Sequence, residues 1–277
     1  MRRIDSAPKT IDVLGIGNSL ISTGFDPAVV EQTFQQAGRS CTAVNGALGA
    51  TGALEHLALA RIAFRSHTVK ILVYGFADQK LSSDVVKKNS DLIGNRAMLY
   101  YADPQLTLQY ARFDPLNRFY FQLYRRFALL RERGSLWADA DKLRGAADPF
   151  EGLDLALQEP SESQSFQAAC QAVVQTGGAL SAPVQALLRQ ARAQGAKVVV
   201  VEMPMHPSHV KKFYTQPVWE KFRAATRIAV EDAGATYLNA SGWLPDGALF
   251  PDHLHFSKEG AHEFSRLLAR YLMEQGL

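Results

Sequence analysis

At 277 residues the chain has room for one large or two small domains and for a substantial core. Its 47% hydrophobic and 21% charged residues match an ordinary globular protein, and a formal net charge of +3 is too small to point to nucleic acid. No run of eighteen apolar residues marks a transmembrane helix.

Near the N-terminus, Arg2 and Arg3 are followed by Asp5, Lys9 and Asp12, which interrupt any apolar signal core, so the expected location is cytoplasmic, with a removed leader or anchor as the alternative. Ile11 to Ile16 reads as a buried strand, and it runs into Gly15-Ile16-Gly17-Asn18-Ser19 and a helix. Asp26-Pro27 is a helix start, with a side-chain acceptor at the N-cap and proline in the first turn, and that helix ends at Gly38. Cys41 to Val44 is a second strand, leading to the turn Asn45-Gly46-Ala47-Leu48-Gly49. A helix over Leu54 to Phe64 and a strand over Val69 to Tyr74 follow.

Residues 85–165 break this alternation. The segment LTLQYARFDPLNRFYFQLYRRFALLRERGSLW is rich in aromatics and arginines, and the whole reads as a mostly helical insertion or lid within a single domain spanning 1–277. The six arginines between Tyr110 and Arg133 fit a helix that packs its aromatics while the charged heads reach water; a membrane or an anionic polymer is the competing reading. The alternation then returns with a helix over Pro183 to Gly195, the strand Lys197 to Glu202, and a helix over Val218 to Ala233. A short strand at Thr236 to Leu238 and a final amphipathic helix over Lys258 to Met273 complete it. Strands separated by helices imply a parallel sheet covered on both faces, with ligands at the carboxyl ends of its strands.

Gly15 and Gly17 could begin a dinucleotide fingerprint, but Leu20 stands where the third glycine belongs, and no Gly-Lys-Ser/Thr is present. The alternative is that Ser19 is a nucleophile. A serine hydroxyl needs a base, a group that orients the base, and donors for the oxyanion. Asp252 and His255 in PDHLHFSKEGAHEFS supply the first two from a loop just before the last helix.

Gly17-Asn18-Ser19 near one end and Asp252-x-x-His255 near the other resemble the SGNH (GDSL-type) hydrolase superfamily. That resemblance implies an α/β fold, a three-layer α/β/α sandwich with a flavodoxin-like parallel sheet. It also implies a Ser-His-Asp triad of Ser19, His255 and Asp252, no cofactor and no metal. Its activity would be that of an esterase or O-acyltransferase acting through an acyl-serine on a small-molecule or glycan acyl ester. The oxyanion donors would be the backbone N–H of Ser19 and that of Gly49 or Ala50, depending on the register of the second block. The family's third block, Gly-x-Asn-Asp, is Gly75-Phe76-Ala77-Asp78 here, so Ala77 replaces the amide donor. Asn18 and Gln79 are candidates to stand in for it. NSLISTGFDPAVVEQTF, VVVEMPMHPSH and FPDHLHFSKEGAHEFSRLLA look like divergent SGNH-like proteins of cell-envelope polymers, among them D-alanyl transfer proteins of teichoic acids and alginate acetyltransferases. Weakened or lost catalysis, leaving a binding or assembly protein for a glycan or a protein partner, is the alternative that Ala77 keeps open.

His206 and His209 follow the fourth strand at i, i+3 spacing; with no third ligand in sight, substrate contact suits His206 better than a metal. Asp78 is a candidate for substrate contact or for support of the site. His253 is expected to face away from the pair beside it, as a structural or solvent-facing residue, and His262 to be a surface or packing residue of the final helix. Cys41 and Cys170, far apart and in no ligand spacing, read as free thiols.

Overall fold

The structure, a computed structural model, describes residues 4, 6–49, 51–78, 104–110, 113–127 and 161–276. Five strands form one all-parallel sheet: β1 (Thr10–Ile16), β2 (Ala43–Asn45), β3 (Thr68–Phe76), β4 (Lys197–Glu202) and β5 (Thr236–Asn239), in the order β2-β1-β3-β4-β5. This is the flavodoxin-like order, and it puts a topological switch between β1 and β3. The register pairs Ile16 with Tyr74 and Phe76 with Glu202, so β1, β3 and β4 finish side by side.

The strands are runs of β-branched residues because both faces are buried. On one face Val13, Ile71, Val73, Val199 and Val201 join a core with α1 (Ser19–Gly24), α2 (Pro27–Gln36), α6 (Ser161–Gln175), α8 (Pro217–Asp232) and α9 (Lys258–Glu274). The alternate residues Leu14, Leu72, Val198 and Val200 are also buried, on the face that carries α3 (Ala53–Ser66) and α7 (Ala182–Ala193). The expected α/β three-layer arrangement is therefore observed, with element ends shifted by a residue or two. Strand pairing places the second strand at Ala43–Asn45; just before it, Thr42 N–H donates to the Asp12 carboxylate (2.7 Å) and its carbonyl accepts from Asp12 and Val13.

Helix starts follow their caps. Asp26 Oδ1 accepts from the N–H of Ala28 (2.9 Å) with Pro27 in the first turn, and Ser257 Oγ accepts from Gly260 N–H (3.1 Å) at α9. Gly75, inside β3, is required by packing: a Cβ there would meet Ile21 Cγ1 at 2.3 Å, so only glycine lets α1 settle onto the sheet.

The chain divides into two compact units, 1–85 with 160–277 and the intervening 86–159. The sheet and all its helices belong to the first. In the second, α4 (Pro104–Tyr110) and α5 (Pro115–Arg126) are described, with Phe121 buried against Leu108, Phe113 and Tyr124. Most of the expected insertion, 85–165, lies outside the described residues. Among the described residues no helix is long and apolar enough to cross a membrane.

Candidate active site

Ser19 is the first residue of α1, immediately beyond the carboxyl end of β1. Asn18 caps this helix, its Oδ1 accepting from Leu20 N–H (3.0 Å), which commits that oxygen to structure. Ser19 itself is half-buried, and its N–H, at the first helical position, has no partner within the helix.

What holds so short a helix is Asn45. Its buried amide donates to the carbonyls of Phe25 (2.7 Å), Ile21 (3.0 Å) and Ser22 (3.3 Å), while its Oδ1 accepts from Ala47 N–H (3.1 Å). One side chain at the end of β2 thus binds the carbonyls of Ile21 and Ser22 in α1 and of Phe25 just beyond it. Sequence reading treats Asn45 only as part of a turn; an asparagine ending an apolar strand is the available signal.

The turn after β2 lies against Ser19. Leu48 N–H donates to Gly17 O (3.3 Å), and a Cβ built on Gly49 would stand 4.0 Å from Ser19 Cβ. Ala50 and Gln79 are outside the described residues. Ala77 is 1% exposed, sealed in the core where the third block places an amide.

On the far side of the sheet's carboxyl edge, Asp252 and His255 form a pair. Asp252 Oδ1 accepts from the N–H groups of Leu254 and His255 (both 2.7 Å), and His255 Nδ1–H donates to Oδ2 (2.7 Å). Partial burial pushes the Asp252 carboxyl up, but the N–H groups of His255 and Leu254 and the imidazole more than offset it and hold it at about 2. The bond from Nδ1 leaves His255 Nε2 as the ring's acceptor. The next residue is tied to the helix that Ser19 begins: Phe256 packs so closely on Gly24 that a Cβ there would meet its ring at 2.7 Å. Ser265 Oγ donates to Gly24 O (3.0 Å) and accepts from Asp26 N–H (2.8 Å). Among the described residues no hydrogen bond joins Ser19 to His255.

Asp78 adopts φ 52°, a strained conformation for any residue but glycine, and one that Asp and Asn tolerate best. Its Oδ1 accepts from His209 Nε2–H and from the Tyr214 hydroxyl (both 3.0 Å), and burial together with the Asp78 charge raises the Tyr214 pKa. Asp78 is thus engaged by protein groups. His206 accepts Ser208 N–H at Nδ1 (3.1 Å) as a helix cap and lies edge-on to Phe250 (5.7 Å between centroids). His253 is half-buried, its ring nearly parallel to that of His209, with 6.4 Å between centroids. His262 lies on the surface of α9 with Nε2 3.3 Å from Asp26.

Beneath this edge Glu202, fully buried at the end of β4, receives Arg223 through Nε (2.9 Å) and Nη2 (2.8 Å) and also the Tyr237 hydroxyl. Cys41 and Cys170 are free, and burial pushes both thiols up to about 12, so neither is a reactive thiolate at neutral pH. A cavity of 380 Å³ lined by Asp12, Cys41, Lys70 and Lys197 opens at the amino ends of the strands, opposite Ser19. Among the described residues no cluster of three or more His, Cys, Asp or Glu side chains could hold a metal ion.

No protein-family model matches the chain, and no curated protein does either. Solved structures similar to it include the psychrotrophic esterase EstA from Pseudoalteromonas sp. (TM-score 0.47, 10% identity, covering 97% of this chain and 98% of that one). TesA is similar too (0.47, 12%, 96% and 98%), as is the lipase/acylhydrolase from Enterococcus faecalis (0.45, 10%, 96% and 97%). These likenesses are distant.

Proposed function

We propose that this protein is a serine-dependent acyl ester hydrolase or O-acyltransferase with Ser19 as nucleophile, His255 as general base and Asp252 as its orienter. The observation that carries the reading is the Asp252–His255 pair, closed by two backbone N–H groups and followed at once by Phe256 against the helix that Ser19 begins. An imidazole locked with Nδ1 on a carboxylate presents a basic Nε2 to a serine hydroxyl.

In the reaction, Ser19 Oγ attacks the ester carbonyl as its proton passes to His255 Nε2. The tetrahedral oxyanion is met by the N–H of Ser19 and that of Gly49, the residue standing against Ser19. Collapse expels the alcohol, which takes the proton from His255, and leaves an acyl-serine. Water or an acceptor hydroxyl then attacks the acyl carbon with His255 again as base, and Ser19 is restored. The substrate class by resemblance is an O-acylated carbohydrate or a small acyl ester.

Ala77 supports a second reading, a binding or assembly protein on the same scaffold, because loss of one oxyanion donor costs on the order of 100- to 1000-fold in turnover. Labelling with a fluorophosphonate, read by intact mass, separates the two. The expected result is one adduct on wild type and none on Ser19→Ala, with thermal midpoints that agree closely. A folded wild type that takes no adduct overturns the catalytic reading.

A further inference from the structure

Three buried or half-buried polar side chains lead from the sheet to the turn beside Ser19. The Tyr74 hydroxyl lies 2.9 Å from His56 Nδ1, His56 Nε2 lies 3.0 Å from Thr51 Oγ1, and Thr51 Oγ1 donates to Leu48 O (2.6 Å). We propose that Tyr74, His56 and Thr51 are positioning residues that orient the Leu48–Gly49 peptide so that the Gly49 N–H is aimed at the oxyanion formed at Ser19. The inference rests on the reading of Ser19 as nucleophile.

The direction of each bond follows from counting hydrogens. Thr51 has one, spent on Leu48 O, so it accepts from His56, and Nε2 carries the ring's proton. In the neutral ring Nδ1 is then an acceptor, and Tyr74 donates to it. Tyr74 keeps its proton, because complete burial raises its pKa. The chain thus runs one way, Tyr74 to His56 to Thr51 to Leu48 O.

Its last bond matters because a trans peptide is planar, with C=O and N–H pointing in opposite directions; the described chain has no cis bond. Fixing Leu48 O therefore fixes the N–H of Gly49. The turn is also pinned on both sides, by Leu48 N–H on Gly17 O (3.3 Å) and by Gly52 N–H on the Glu55 carboxylate (2.5 Å). His56 and Tyr74 are 5% and 3% exposed, and burying such polar groups is unfavourable unless their hydrogen bonds are made. Aliphatic side chains could fill the volume; only a hydrogen-bonded chain can dictate the angle of a peptide. Where Ala77 supplies no amide, the angle of the remaining glycine donor carries more of the rate.

The test uses the full chain with wild type, Ser19→Ala, Thr51→Val, Thr51→Ser and Tyr74→Phe. The readouts are kcat and KM on a chromogenic acetate ester, the rate of fluorophosphonate labelling, and the imidazole nitrogen NMR signals of His56. Thr51→Val should lower kcat and labelling together by about tenfold, below the 100- to 1000-fold range for outright loss of a donor, with KM within twofold. Thr51→Ser should recover most of that rate, and His56 in wild type should show the Nε2-protonated neutral tautomer. If Thr51→Val does not fold, Tyr74→Phe decides, with an expected threefold fall in kcat at constant KM. An unchanged kcat in the folded Thr51 or Tyr74 variant, equal losses in Thr51→Val and Thr51→Ser, or the opposite tautomer overturns the relay. If Ser19→Ala is silent while the relay variants match wild type, only this inference fails; if Ser19→Ala turns over like wild type, the catalytic reading falls and takes it along.

Discussion

Replacing Asn45 tests the link between the end of β2 and the helix that carries Ser19. Its side chain donates to three carbonyls at 2.7, 3.0 and 3.3 Å and accepts one N–H at 3.1 Å, with the residue 3% exposed. Counting three well-made bonds at about 1 kcal/mol net each, Asn45→Ala should destabilise the protein by about 3 kcal/mol. In a domain of this size that lowers Tm by about 6–12 °C. Asn45→Asp keeps the shape but turns the donor into an acceptor and sets a carboxylate against carbonyl oxygens, so at pH 7 it should be less stable than the alanine variant. Differential scanning calorimetry measures both, and fluorophosphonate labelling reports whether Ser19 stays in place; both variants should label more slowly than wild type. An aspartate variant more stable than the alanine one would refute the reasoning, since it would mean that Asn45 fills volume and does not hold carbonyls.

Two further outcomes follow from charges. The Asp252 carboxyl is held at about 2 when folded against 3.8 as its ordinary value, so its ionised form favours the fold. That contribution is fully present above about pH 4 and is lost as pH falls through about 2. Asp252→Asn should therefore be less stable than wild type at pH 7, with the gap in Tm closing between pH 4 and pH 2; a gap that persists at pH 2 contradicts the pairing. Glu202→Gln leaves Arg223 without its buried counter-charge and should cost about 3 kcal/mol in urea unfolding, the low end for a broken buried pair because Arg223 is 26% exposed. Adding Arg223→Met should recover part of that loss, and a single variant within 1 kcal/mol of wild type would argue that water already screens the pair.

The layered fold was legible in the chain because its signals are local. Apolar runs such as Lys197 to Glu202, alternating with helices, read as strands of a parallel sheet buried on both faces, and caps such as Asp26-Pro27 announce helices within a turn. The Asp252–His255 pair was legible for the same reason: its partners are three positions apart, and the carboxylate closes on the N–H groups of its own turn.

What the tertiary structure decided are contacts between distant segments. Asn45 under α1 bridges 20 to 24 positions, Asp78 reaches His209 across 131, and Ser265 reaches Gly24 across 241. Composition and periodicity report which face of an element is apolar but not which polar atom meets which, since that depends on the register between β2, β1 and β3. The same holds for Gly49, which stands against Ser19 where Leu48 docks on Gly17, and for His253, whose ring lies nearly parallel to that of His209. Sequence thus determined the elements and the chemistry they can carry. The packed sheet decided which side chains share an edge, because hydrogen bonds require distances and angles that only the assembled chain supplies.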